Sequence, residues 1–200
     1  VVGFQKSALD IAMECSKVNR VENPCTVICR TPQWHISDFM PLGIPMAYLY
    51  LNRFAELLLH KPGESLSLSL LASILSPVRC AFSKFMESVI KHKHQLKKRG
   101  MVPGHGFLKA LSSCLISTVP DGFYDNVDKG SIIIKKSPTF CFSKEGLLLE
   151  AERKPLKTDV VILATGFDGH KKLGDIFASP KFRDYLAGSP DGDIPLYREC

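Results

Sequence analysis

The sequence predicts an α/β fold in which a parallel βα core is interrupted by a helical insertion and followed by a small antiparallel meander. Three observations carry this. Residues 1 to about 31 have the rhythm strand, tight turn, helix, strand. A block from Pro41 to about Leu115 turns helical and is too long for a single crossover. After it, short strand-like runs return and end in a continuous apolar stretch.

In the first stretch, VVG leads into KSALDIAMECSKV and then CTVICR. Leu9, Ile11, Ala12, Met13 and Val18 give a mostly apolar face at helical spacing, and Thr26, Val27 and Ile28 form a β-branched run after Pro24. Together they make half of a βαβ unit. The insertion holds MAYLYLNRFAELLLH, then SLLASILSPVRCAFSKFMESVIKHKHQLKK, and a link punctuated by Gly and Pro, MVPGHGF. Beyond it SIIIKK, TFCFS and GLLLEA are closely spaced and read as the antiparallel meander. KTDVVILATGF follows, and its run Val160 to Leu163 fits a parallel strand buried on both faces. The expected division is 1–40, 41–115 (the insertion), 116–167 (meander and return strand) and 168–200.

Composition narrows the function classes. With 200 residues and 45% apolar residues, the chain can build one domain with a sizeable core, or a domain carrying an insertion. The formal net charge is +6, and KHKHQLKKRG holds Lys91, Lys93, Lys97, Lys98 and Arg99. No aromatic residue is interleaved to stack on bases, so no nucleic-acid partner is expected and the run reads as a solvated helix end. Attachment to a membrane surface or a protein partner through this run is the alternative. The seven cysteines form no CxxC pair and read as reduced thiols of an intracellular, cytoplasmic protein, with membrane association as the other possibility. His92 and His94, two residues apart, point to different sides of a helix, so no metal site is expected. SLSLSLLASILSPVRCAF is broken by Pro77 and Arg79 and reads as a buried helix rather than a membrane span.

Two places carry chemistry. The first is the turn Gly3-Phe4-Gln5-Lys6-Ser7-Ala8, at the start of a helix whose free N–H groups and dipole favour an anion. Gly3 and Ala8 meet the spacing G-x-G-x-x-G/A, while Gln5 stands at the middle glycine. On its own this is equally a turn without a ligand. The second is the end of the following strand, where the fingerprint carries an acid for NAD or a base for a 2′-phosphate. No Asp or Glu occurs from Pro24 to Ser37; Arg30 offers a bidentate guanidinium and Thr31 a hydroxyl. The ligand is therefore NADPH, unless Arg30 is merely a surface cation. Trp34 and His35 either line the nicotinamide side or pack. Gly166, after Thr165, suits a corner where backbone turns or nears a cofactor ring.

VVGFQKSALDIA, CRTPQWH and above all LATGF (Leu163 to Phe167) resemble the NADPH half of flavin-containing monooxygenases. VPDGFYDNVDKGSIIIKKSPTFCF resembles the plant branch, whose members carry a non-glycine at the position of Gln5, and the resemblance runs over nearly the whole chain. It implies a Rossmann-like NADPH-binding domain from a flavoprotein with two dinucleotide domains, using FAD and NADPH. It places cofactor contacts at Gly3, Gln5, Lys6, Ser7, Ala8, Arg30 and Thr31. It also places them at the hinge Ala164, Thr165, Gly166 and Phe167, where the chain returns toward the FAD domain. The implied activity is of the N,N-dimethylaniline monooxygenase type: O₂ is captured as a C4a-hydroperoxyflavin and passed to a nucleophilic nitrogen or sulfur, with NADP⁺ retained as a shield. No general acid, base or nucleophile is assigned in this chain. Baeyer–Villiger oxygenation and a catalytically inactive NADPH-binding module are the alternatives. The family's FAD fingerprint and its F-x-G-x-x-x-H motif do not occur in these residues. Val1 and the closing PLYREC thus read as cut ends of an interior piece, inactive in isolation and prone to aggregate where its sheet lacks a partner.

Overall fold

The computed structural model describes residues 1–36, 43, 45, 48, 65–112, 115–150, 152–167, 178–181 and 183. MAYLYLNRFAELLLH apart from Tyr48, most of 168–200 and PLYREC lie outside the described residues. Contacts divide the chain into two compact units, Val1–Ala164 and Thr165–Cys200.

The first unit is built on parallel backbone pairing. Helix α1 (Lys6–Asn19) leads to strand β1 (Cys25–Cys29). β1 pairs in parallel with β4 (Ile132–Lys136), from Cys25 opposite Ile132 to Cys29 opposite Lys136. On its other side β1 meets the start of the chain: the Gly3 N–H donates to the Ile28 carbonyl at 3.0 Å and the Ile28 N–H to the Val1 carbonyl at 2.8 Å. Val2 then bridges in parallel to Leu163, with Val2 N–H on the Ile162 carbonyl and Ala164 N–H on the Val2 carbonyl, both 2.8 Å. Four parallel lines of backbone result, in the spatial order β4, β1, Val2, Leu163. Numbered by appearance that order is third, second, first, fourth, and the direction of progression reverses between the Val2 and Leu163 segments.

Alternation along β1 sends neighbouring side chains to opposite faces. Cys25, Val27 and Cys29 enter the main core with Leu9, Ala12 and Met13 of α1 and with Trp34, Phe107 and Ile132. Ile28 faces the other way, with Val2 and with Leu147 and Leu149 of the meander. That meander is β5 (Phe140–Ser143), β6 (Gly146–Leu149) and β7 (Leu156–Lys157), antiparallel in that order. It therefore begins one run later than expected. SIIIKK is the parallel strand β4, because Ile132 fits the main core and its partner β1 lies about a hundred residues earlier in the chain.

Two further expectations are corrected. Val160 to Leu163 is parallel to Val2 but not buried on both faces: Val160 and Leu163 are exposed, and among the described residues this segment lies at the edge of the sheet. The helix over SLSLSLLASILSPVRCAF is α2 (Leu66–Lys93), capped by Ser65, whose Oγ accepts the Leu68 N–H at 3.4 Å. It runs through Pro77 and is buried only in part. Met86, Glu87 and Ile90 of its second half enter the core, whereas Leu66, Leu70, Leu71, Ile74 and Val78 of the first half are exposed. Apolar composition specifies a face that favours cover and not the element that supplies it.

The short elements between α2 and β4 complete the unit. They are α3 (Phe107–Ser112), a two-residue parallel pair of β2 (His35–Ile36) with β3 (Ser117–Thr118), and α4 (Phe123–Lys129).

Candidate cofactor-binding site

Gly3 leaves the sheet with φ +129°, a backbone region closed to ordinary side chains. A Cβ there would lie 2.2 Å from the Ala164 carbonyl oxygen and 3.4 Å from the Ala8 methyl. Glycine is required because the fourth backbone segment crosses at van der Waals distance. Ala8, fully buried, is the small residue that lets α1 approach. The fold thus brings Gly3, Ala8 and Ala164 together at the point where the strand order reverses.

Gln5 precedes α1 in extended conformation, and its side chain makes no capping bond. Gln5, Lys6 and Ser7 are exposed, and the first turn holds no acidic residue. Lys6 Nζ sits 2.9 Å from Asp10 Oδ2, one turn on. The first N–H groups of a helix have no intrahelical acceptor and carry its positive dipole end, so this surface suits an anion.

Arg30 follows β1 directly and is exposed, with no hydrogen bond or ion pair among the described residues. Thr31, also exposed, accepts a hydrogen bond on Oγ1 from Gln33 Nε2 at 3.3 Å. Both stand at the same strand ends as the Gly3 turn, since Gly3 pairs with Ile28 two residues before Arg30.

Trp34 and His35 pack. The Trp34 indole is fully buried, donates to the His105 carbonyl at 2.8 Å, meets Phe107 edge-on at 5.8 Å and lies under Lys91 Nζ at 5.4 Å. His35 is buried against the Phe4 ring at 5.0 Å, with Nδ1 2.6 Å from Ser117 Oγ. Burial pushes its pKa down to about 4, outweighing a favourable backbone contact with Phe4, so the imidazole is neutral at physiological pH. It supports the turn from beneath, through Phe4.

Sequence reasoning missed Glu87, a buried carboxylate that accepts the Phe107 N–H at 3.0 Å and ion pairs with Lys84 at 3.0 Å and Lys91 at 3.4 Å. Burial alone would raise its pKa, but these partners outweigh it and hold the carboxyl below the usual range. The signal was a lone acid on an apolar helix with lysines at i−3 and i+4. Nor is the basic run wholly solvated. Arg99 binds Asp128, with Nε 3.2 Å from Oδ1, and its guanidinium lies 5.0 Å from the Tyr124 ring.

Thr165, Gly166 and Phe167 belong to the second unit. All three are exposed, and Gly166 has φ +81°.

No family model matches the chain, and no solved structure does. Two curated proteins of Arabidopsis thaliana match 99% of it. One, named probable flavin-containing monooxygenase 1, is 40% identical; the other, putative flavin-containing monooxygenase 2, is 34% identical. The chain spans only 37% and 35% of their respective lengths. Along its whole length, then, this chain is homologous to about a third of a plant flavin-containing monooxygenase.

Proposed function

We propose that Val1–Ala164 is a Rossmann-type NADPH-binding region of an enzyme that uses NADPH, FAD and O₂ to oxygenate a nucleophilic nitrogen or sulfur. One observation carries the reading: the backbone order third, second, first, fourth reverses at Gly3, and α1 begins there. Open parallel sheets bind dinucleotides outside the strand ends at such a reversal.

The residues fit the assigned ligand. Backbone N–H groups at Gln5, Lys6 and Ser7 receive the pyrophosphate, in a first turn that holds no acidic residue. Arg30, free of acidic partners among the described residues, takes the 2′-phosphate as a fork, with the Thr31 hydroxyl beside it. Gln5 costs the site one close backbone approach that a glycine would allow. Ala164, Thr165, Gly166 and Phe167 are assigned to the return toward the flavin, and Gly166 supplies the left-handed backbone at that corner. When bound, FAD supplies the oxygen activation; this chain's residues bind and orient the reductant.

The test is turnover by the full-length protein with tertiary amines, sulfides and ketones. Oxidised nitrogen or sulfur products made at the expense of NADPH are expected. Esters from ketones would replace the reading by Baeyer–Villiger chemistry. NADPH binding by a protein with no flavin absorbance would reduce it to a binding module.

A further inference from the structure

We infer that the exposed face of α2 docks on an anionic lipid surface. This inference is independent of the cofactor assignment. Its first support is geometry. Leu70, Ile74, Val78 and Phe85 are 63%, 64%, 56% and 50% exposed. Spaced by 4, 4 and 7 residues, they form one stripe along the helix. That stripe lies opposite Ala72, Met86, Glu87 and Ile90, which are buried. Leu66 and Leu71 widen it. Soluble proteins rarely leave a contiguous apolar patch of this extent uncovered unless it is an interaction site.

Charge selects the occupant. No Asp, Glu, Lys or Arg occurs from Ser65 to Val78, and no acid from Ser65 to Met86, although Glu64 adjoins the run. The other end of the helix runs into Lys93, Lys97 and Lys98, all exposed. A second copy pairing antiparallel through the stripe would set these lysines against Ser65–Val78, a run that itself offers no carboxylate to meet them. An anionic bilayer answers both features, apolar side chains entering the acyl boundary and lysines meeting headgroups.

α2 is also, among the described residues, the one helix long and apolar enough to cross a membrane. Lying in the interface suits it better. The uncharged run Ser65–Val78 reaches about 21 Å as helix, short of a ~30 Å hydrocarbon core. Met86, Glu87 and Ile90 meanwhile hold its second half in the protein core.

The experiment is co-sedimentation of the full-length protein with phosphatidylcholine vesicles, with and without 30% (roughly a PS-rich leaflet) phosphatidylserine. Two variants accompany it, Ile74→Gln with Val78→Gln, and Lys97→Glu with Lys98→Glu, with cofactor binding as the check that each is folded. The inference expects binding to the anionic vesicles that falls at least about fivefold in both variants and weakens with salt. No binding by the unaltered protein, or binding unchanged in the Ile74/Val78 variant, overturns it. So does a dimer in solution that the Ile74/Val78 variant converts to monomer while vesicles bind neither form.

Discussion

Helix α1 and the first half of α2 are both recognisable from sequence as apolar helices, yet they end in opposite environments. Leu9 and Ala12 of α1 are fully buried under β1, while Leu70 and Ile74 of α2 face outward. The difference lies in what the chain sets beside them. α1 is joined at both ends to strands of one sheet by short turns, so its apolar face has nowhere to go but onto that sheet. Among the described residues α2 is fastened mainly through its second half, by Glu87 to the Phe107 N–H and by Met86 and Ile90 in the core, with Ala72 the one buried residue of its first half. Local pattern sets the helix; connectivity sets its cover.

The sharpest break of this comparison is Gly3→Ala. The added methyl would meet a backbone oxygen in a positive-φ position, so a loss of about 4 kcal/mol or failure to fold is expected in a thermal or denaturant melt. A loss under about 1 kcal/mol would show that the Ala164 crossing is not tight. Next comes Leu9→Ala, expected to cost about 2–5 kcal/mol by the same measurement, as buried leucines do.

His35 gives a pH-dependent effect of similar or smaller size. Its folded pKa is depressed to about 4 from an ordinary 6.5, so between these values the unfolded chain binds a proton that the folded one refuses. Stability is therefore intact above pH 6.5 and falls as pH drops toward 4, by at most about 3 kcal/mol. His35→Gln should flatten that slope; an identical slope in the variant would assign the acid sensitivity elsewhere. At the small end, Ile74→Ala should change stability by no more than about 0.5 kcal/mol, the expected contrast to Leu9→Ala. A cost near that of Leu9 would mean that α2 is covered in solution.

How far each part was legible follows the range of the interaction that determines it. The Gly3 turn, α1 and β1 are set by residues within about thirty positions, and the β5–β6 hairpin by the turn at Lys144 and Glu145. β4 was legible as a strand but not as the parallel partner of β1, because nothing in SIIIKK names a partner across the insertion. Val160 to Leu163 looked doubly buried because an apolar run records the tendency to be covered rather than the cover. Gly3, Ala8 and Arg30 were singled out from spacing, and the fold sets Gly3 and Ala8 beside Ala164. The reason Gly3 cannot be replaced, the Ala164 carbonyl, comes from a residue 161 positions later and is visible only in the fold. Trp34 was ambiguous for the same reason, its partners His105, Phe107 and Lys91 all lying in or beyond the insertion.

The central claim is that the reversal point at Gly3, with Arg30 beside it, receives a 2′-phosphorylated dinucleotide. Its most direct test is the affinity of the full-length protein for NADPH and for NADH, before and after Arg30→Ala. The account predicts a preference for NADPH that shrinks at least about tenfold in the variant, from losing a charge-assisted contact of about 1.5–3 kcal/mol, with NADH affinity and thermal stability nearly unchanged. Equal losses for both nucleotides, or no loss for either, would contradict it.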